Sequence, residues 1–390
     1  MNNMVSIKEK GKTIDNNVIN FLNPDYLYIP MKEGYTLSVK TNSIINKEDV
    51  LLHNEEEFIY SPVSGVVLGK TNSMKVSNDL TNCIVIENDF KEHVKTRKFA
   101  NKYINEIDKD KMIEQIKKYN GCTKDLNVEF KHIIVNGIDR DPYEKTYSFI
   151  INKYNSKILE TIDALATIFN PISTILAVNN NDSLNVINLS NNIGTYPNIK
   201  LKLVPDIYPI GFKEVLIKNI FSKKEINEGI LYLNIEDIYN IYNVLKRNKP
   251  ITEKLITIGG NAIEKPFVLN VKIGTSIADI IKNCCKIVND KYFCVINGLI
   301  AGKTLDSLNG VVDFDTRSIF LNTKDNESEK KCINCGLCNM KCPVGLNPKR
   351  IREHKNADRS KCIHCGLCTY ICPSKINFKK YLENTKESSW

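Results

Sequence analysis

The sequence predicts a multidomain chain of α/β plus β architecture that ends in a small module held by cysteine-bound metal. Three observations predict it. Strand-like runs with closely spaced turn signals fill residues 25–90, strand-like and helix-like segments alternate from residue 132, and eight of the 13 cysteines fall in two copies of one spacing near the C-terminus. A length of 390 residues suits about two to four domains. Hydrophobic residues make up 42% and charged residues 25%, an ordinary balance for a soluble globular protein. No apolar run nears the roughly 18 residues a membrane span needs; Ile172–Val178 is typical of the longest. The net charge of +9 includes the clusters Lys91–Lys98 and Lys349–Arg359, and it suits docking to an acidic protein or an anionic membrane surface. No nucleic-acid recognition motif accompanies the charge, so nucleic acid is not an expected partner.

The first region reads as short strands at Tyr26–Pro30, Tyr35–Lys40, Asp49–Leu52, Phe58–Tyr60 and Asn82–Glu87, with a tight turn between Pro62 and Gly65. This is the pattern of a small all-β barrel or sandwich. Residues 91–131 are charged and helix-like around Met112–Ile116. The strand His132–Asn136 then leads into the turn Gly137–Tyr143, a helix over Ile158–Asn170 and a strand at Ser173–Val178. Leu201–Pro205 is a further strand, followed by helices at Gly211–Phe221 and Ile235–Arg247 and a strand over Leu255–Gly260. That alternation predicts a parallel sheet covered on both faces. Phe267–Lys272, a helix N-capped by Ser276 and running through Cys284, and short strands at Phe293–Ile296 and Ser318–Leu321 suggest a ubiquitin-like grasp. Asn322–Lys331 is polar and reads as a linker.

The cysteine runs are Cys332-x-x-Cys335-x-x-Cys338-x-x-x-Cys342-Pro343 and Cys362-x-x-Cys365-x-x-Cys368-x-x-x-Cys372-Pro373. This is the ligand spacing of a bacterial two-cluster ferredoxin, in which the fourth cysteine of each run serves the other cluster. Cluster 1 is accordingly assigned to Cys332, Cys335, Cys338 and Cys372, and cluster 2 to Cys362, Cys365, Cys368 and Cys342. Soft thiolates suit iron–sulfur clusters. A disulfide scaffold would need an oxidising compartment, whereas the opening Met-Asn-Asn-Met shows no signal-peptide pattern, and a cytoplasmic setting is expected. Zinc sites usually pair two Cys-x-x-Cys units across a longer spacer, without the third cysteine or the Cys-Pro ending.

Other residues carry weaker signals. Cys83 alternates with apolar residues, and Cys284, Cys285 and Cys294 lie in a core-like pattern, so all four read as buried thiols. Cys122, in a polar stretch after Gly121, is the thiol expected to be exposed and reactive. Gly259-Gly260 reads as a strand-end turn and His364 as either exposed or a hydrogen-bond donor near a cluster. Asp139 and Asp141 could be turn carboxylates that satisfy backbone amides. No Ser/His/Asp or paired-carboxylate constellation points to hydrolysis, and no catalytic residue is assigned.

Several segments together resemble the C-subunit family of the Rnf electron-transport complex and its relative, the proline-reductase-associated electron-transfer protein. They are Ser61–Val67, Ile134-Val-Asn136-Gly137 with Asp139 and Asp141-Pro142, Val204-Pro205 through Tyr208-Pro209, Gly211 and Glu214 to Ile217, Pro266–Leu321, and the two Cys-Pro endings. The resemblance implies a barrel-sandwich hybrid domain at 1–95, a Rossmann-like α/β flavoprotein-type domain at 96–250, a SLBB domain (a β-grasp fold) at 251–325 and a two-cluster [4Fe–4S] ferredoxin-type module at 326–390. It implies an oxidoreductase subunit of anaerobic metabolism at the cytoplasmic face of the membrane, taking electrons from NADH through FMN and passing them through two [4Fe–4S] clusters to other electron-transfer subunits or a reductase. Peripheral membrane association would come through those partners. Asn136, Gly137, Asp139 and Asp141 would lie in the FMN and NADH region.

The sequence departs from the family there. The family's Gly-x-Gly-Gly-Ala-Gly-Phe-Pro loop is replaced by Ile116–Asp125, which has a single glycine, and two family glutamates are Asp139 and Asp141. Backbone amides cradle phosphate when side chains are absent. The departure opens a second reading, an iron–sulfur relay or adaptor without flavin or NADH binding.

Overall fold

The structure is a computed structural model, described here for residues 4–7, 18–76, 79–94, 103–122, 124–323, 328–354 and 357–382. It is a mixed α/β molecule. At its centre four parallel strands, His132–Asn136, Ser173–Asn179, Ile199–Val204 and Ile230–Asn234, lie in the order third, second, first, fourth. Alternate side chains of these strands separate two cores, as the period of two requires. Ile133, Val135, Leu176 and Val178 pack with residues of the helices Thr146–Phe169 and Ile235–Arg247. Ile134, Ala177, Val204 and Tyr232 pack instead with Phe212, Leu216 and Phe221 around the helix Lys213–Ile220.

The helix Thr146–Phe169 starts twelve residues before the expected Ile158 and continues through a kink at Tyr154. Its first turn is satisfied from outside by Asp139, a cap that local spacing does not reveal. Among the elements not expected are the helix Ser183–Asn192 and the strands Val18–Phe21 and Ile230–Asn234. Ile-Leu-Tyr-Leu-Asn is a short apolar run, which periodicity cannot assign to strand or helix. In the charged stretch after residue 90 the helix is Lys109–Lys118; part of the Lys91–Lys98 cluster lies outside the described residues.

A six-stranded sheet packs beside this unit in the order Val18–Phe21, Phe267–Lys272, Glu253–Gly259, Ser318–Thr323, Tyr292–Ile296, Lys303–Thr304. Its first strand runs parallel to Phe267–Lys272, pairing Val18 with Val268 and Phe21 with Val271. The helix Ile277–Cys284 covers the sheet through Ile277, Ile280 and Ile281. Ser276 occupies the N-cap position without a side-chain cap bond, and only its carbonyl accepts from Ile280. The expected linker begins inside this sheet, because Asn322 and Thr323 complete the strand Ser318–Thr323 and Asn322 also accepts from the Asn261 amide.

Residues 26–88 form two small antiparallel sheets around Leu27, Ile29, Leu51, Leu52, Ile84 and Ile86. Within the expected strand Tyr35–Lys40 only Thr36 and Leu37 pair, against His53 and Leu52. The hairpin Gly65–Val76 and Asp79–Asn88 is longer than alternation suggests.

Candidate cluster-binding module and adjoining strand ends

The two cysteine runs fold alike. Asn334 and His364, one residue before the second cysteine of each run, have φ of 57° and 49°, and Gly336 and Gly366 follow at 73° and 69°. Each left-handed bend leads into one helical turn, Leu337–Met340 or Leu367–Tyr370. Gly345 and Lys375, beyond the Cys-Pro pairs, are again left-handed. The sequence repeat is therefore also a backbone repeat.

The thiols sort across the runs. Cys338 has Cys332 and Cys372 as electrostatic neighbours, whereas Cys365 and Cys368 have Cys362 and Cys342. The last cysteine of each run thus lies with the leading cysteines of the other. Burial and neighbouring thiols push Cys365 up to about 12, and Cys368 is pushed up for the same reasons. Thiols crowded into such a place cannot ionise unaided, and a cationic iron core is what would stabilise them as thiolates. The Leu346 N–H donates to Cys342 Sγ at 3.3 Å, a bond that a sulfur ligand uses well. The donor set fits [4Fe–4S] clusters.

The two thiol groups differ in their surroundings. Cys365 and Leu367 belong to the core beneath the parallel sheet, with Tyr208, Phe212 and Ile300. The Tyr208 hydroxyl donates to the Cys365 carbonyl. A Cβ at Gly366 would overlap the Ile300 carbonyl oxygen, so this position needs glycine for space as well as for its φ. Lys379 Nζ donates to the Gly302 carbonyl at 2.6 Å and fixes the same seam. In the other group Cys335 is exposed, and Cys332 and Cys338 are half-buried.

Near this seam the turn after His132–Asn136 brings together all four residues expected to face a flavin. Their polar atoms are engaged within the chain. The Asn136 side chain donates to the Ile138 and Gly211 carbonyls and accepts from the Ile138 amide. Gly137 gives its amide to Ala177, and a Cβ there would stand 2.7 Å from Ile151 Cδ1, so this glycine allows the turn to pack on the helix Thr146–Phe169. Asp139 accepts from the Tyr147 and Ser148 amides and the Ser148 hydroxyl. Asp141 is fully buried and accepts from Tyr143, Ile300 and Ala301 amides. Beside them Glu144 accepts from Ser318 and faces Arg317, while Arg140 lies over the Phe212 ring.

The segment replacing the glycine loop closes the helix Lys109–Lys118 instead of opening one. The Gly121 amide donates to Ile116, the Asn120 amide to Lys117, and the Asn120 side chain to Phe58. Amides spent this way do not cradle a phosphate. Neither place fits flavin contacts carried over residue by residue.

Burial pushes Asp139 and Asp141 up to about 6 each. An unfolded aspartate titrates near ~3.9, so the native chain holds protons that the unfolded chain releases between these values. Their contribution is greatest at the acid end and is lost as pH rises through 6. We expect the thermal midpoint of Asp139→Asn to change less between pH 5 and 7 than that of the parent chain; equal changes would remove Asp139 from the balance.

The remaining thiols are quiet. Cys83 and Cys294 are buried and pushed up to about 12, and burial raises Cys284 and Cys285 to about 11 and about 12. Cys122, expected to be exposed and reactive, is half-buried beside Asp237, and both burial and that carboxylate raise it. A nearby carboxylate makes a thiol less reactive, not more. Tyr208, Gly366 and the Ile300–Ala301 amides carried no local signal of their role, since each acts on a residue more than 60 positions away.

The fold and site define a class: an iron–sulfur protein whose two-cluster module is joined to an α/β domain of flavoprotein type. The Nuo51 FMN-binding domain family matches residues 115–245, and the 4Fe-4S dicluster domain family matches 324–373. The chain is related to the C subunits of ion-translocating oxidoreductase complexes. It is 26% identical to that of Yersinia enterocolitica over 58% of this chain and 35% of the relative. It is also 26% identical to that of Buchnera aphidicola over 56% and 48%, respectively. The chain thus spans about a third to a half of these relatives' length. Among solved structures, an NAD+-reducing [NiFe]-hydrogenase in the H2-reduced state aligns over 66% of this chain and 54% of that one, with a TM-score of 0.46 and 12% identity. No helix among the described residues is long and apolar enough to cross a membrane.

Proposed function

We propose that the chain is an electron-transfer subunit that passes electrons between a flavin- or nicotinamide-linked donor and partner redox proteins. Two [4Fe–4S] clusters carry them, one held by Cys332, Cys335, Cys338 and Cys372 and the other by Cys362, Cys365, Cys368 and Cys342. The crossed neighbourhood of the thiols is the observation that supports this reading. Each cluster supplies one-electron chemistry when bound. The chain's own part is to exclude water around Cys365 and Cys368, hold the Cys365 loop through Tyr208 and Lys379, and donate the Leu346 amide to Cys342. Partners are other electron-transfer subunits or a reductase, at the cytoplasmic face of a membrane, in an anaerobic setting.

The finer architecture follows the same reading. The two small sheets of residues 26–88 suit a barrel-sandwich hybrid within 1–95, and the six-stranded sheet with Ile277–Cys284 suits a SLBB domain within 251–325. The four parallel strands with helices on both faces suit a Rossmann-like α/β domain of flavoprotein type within 96–250.

Chemical analysis of anaerobically reconstituted protein tests this. About eight irons with matching labile sulfide are expected for two cubanes, and denaturation should release FMN if the α/β domain keeps the flavin. Four irons or fewer after full reconstitution would overturn the cluster assignment. Eight irons without flavin or NADH-dependent reduction of an artificial acceptor would leave an iron–sulfur relay fed by another protein.

A further inference from the structure

We infer that the cleft between the helix Ile235–Arg247 and the six-stranded sheet binds a short hydroxycarboxylate, an anion with a neutral hydrogen-bond donor beside its charge. The inference does not rest on the cluster reading. The cleft is also separate from the turn considered for flavin, since none of Asn136, Gly137, Asp139 and Asp141 lines it. Its volume is about 90 Å³. An apolar cavity of ~150 Å³ takes benzene, so this one suits a molecule of about four to six heavy atoms.

Along the helix, Glu236, Asn240, Asn243 and Arg247 recur at spacings of three and four and so share the face that lines the cleft. Thr252 lines it from the loop that enters the sheet. Two orphaned polar atoms belong to these residues. Asn243 Oδ1 and Thr252 Oγ1 are shut off from water without a hydrogen-bond partner, and Thr252 is only 1% exposed. Buried polar atoms are nearly always paired, because an orphan destabilises the fold. A ligand in the cleft is the partner these two lack. An amide oxygen only accepts, so Asn243 calls for an O–H or N–H on the ligand, whereas the Thr252 hydroxyl can donate to a carboxylate.

Charge gives the ligand its sign. Arg247 is exposed at the cleft and Lys157 lies over the Tyr154 ring at 4.8 Å. The two cations act on each other, and neither pairs with a carboxylate among the described residues. Like charges held together without a counter-ion attract an anion. The acidic residues of the cleft are already neutralised: Glu236 by Lys254 at 3.2 Å, and Glu253 by Lys249 and by Lys272 at 3.5 Å. An ammonium would find no free carboxylate, so the ligand's donor is a hydroxyl. The facing helix bends at the same place. Thr146–Phe169 leaves helical geometry at Tyr154 (φ −128°, ψ 27°), yet it contains no Pro or Gly to kink it. The Tyr154 ring stacks on Tyr239 at 4.6 Å, and both wall the cleft. Backbone departures of this kind gather at ligand sites.

Calorimetric titration of the reconstituted full-length chain with L-lactate tests this. The comparison probes are propionate, which lacks the hydroxyl, lactamide, which lacks the charge, and L-alanine, which carries an ammonium. L-Lactate should bind about tenfold or more tighter than any of them, and Arg247→Gln, a surface change, should weaken it about tenfold. Bound lactate should also raise the thermal midpoint, because it binds only the folded chain. Thr252→Val separates a binding role from a structural one. It removes a hydroxyl that makes no bond, so the midpoint of the free chain should hold or rise while the shift produced by lactate shrinks. A lowered midpoint with lactate binding intact would make Thr252 structural and overturn the assignment. So would equal affinity for lactate and any comparison probe, lactate binding that Arg247→Gln leaves unchanged, or no binding at all, with the cleft holding water alone.

Discussion

The double variant Cys342→Ala/Cys365→Ala is expected to keep one cluster, about four irons per chain, with the magnetic signature of a single reduced [4Fe–4S] centre. Cys342 lies in the first run and Cys365 in the second, so a linear assignment, one run per cluster, would have this variant lose a ligand from both clusters. In the structure, however, Cys342 neighbours Cys365 and Cys368. Under the crossed assignment both substitutions fall on one cluster and spare the other. Cys342→Ala/Cys338→Ala is the converse pair and should remove both. Iron analysis with low-temperature electron paramagnetic resonance distinguishes the cases. Loss of both clusters from the first variant would sink the crossed assignment.

Asp141→Ala should be among the most damaging substitutions outside the cysteines. Its fully buried carboxylate accepts from the amides of Tyr143, Ile300 and Ala301, and thereby ties the parallel-sheet turn to the loop that seats Gly366. Alanine would leave three donors without acceptors inside the protein. Each such loss costs about 1–3 kcal/mol, so a total near ~3 kcal/mol or more is expected. For cooperative unfolding of the whole chain that corresponds to a fall of about 4 °C or more in thermal midpoint. Asp141→Asn keeps one acceptor oxygen and should recover part of the loss. A midpoint within a degree of the parent for the alanine variant would show that these amides find other partners.

What the sequence revealed follows the range of the interactions concerned. The strands His132–Asn136 and Phe267–Lys272 match their expected ranges because each is a run of apolar residues packed into a core. The cysteine spacing made the module legible because its ligand pattern is local. The early start of the helix Thr146–Phe169 was hidden because Asp139 caps it across the intervening turn. The Ser276 cap was read from residue type alone, and its hydroxyl makes no cap bond. Asp139 and Asp141 show the same division at the site. Their presence was plain, but whether they face a ligand or the backbone depends on Ser148, Ile300 and Ala301, which only folding brings near.

The strand Val18–Phe21 has a consequence for how the protein is made. It completes the edge of a sheet whose adjoining strand, Phe267–Lys272, is translated about 250 residues later. At roughly 5–20 residues per second, a ribosome needs on the order of ten to fifty seconds to supply that neighbour. Through this interval Val18, Ile19 and Phe21 have no sheet to join, and the nascent chain carries an unpaired apolar segment ahead of everything that will cover it. A chaperone or fast folding of the intervening α/β unit would have to keep that segment from pairing with other chains on the same polysome.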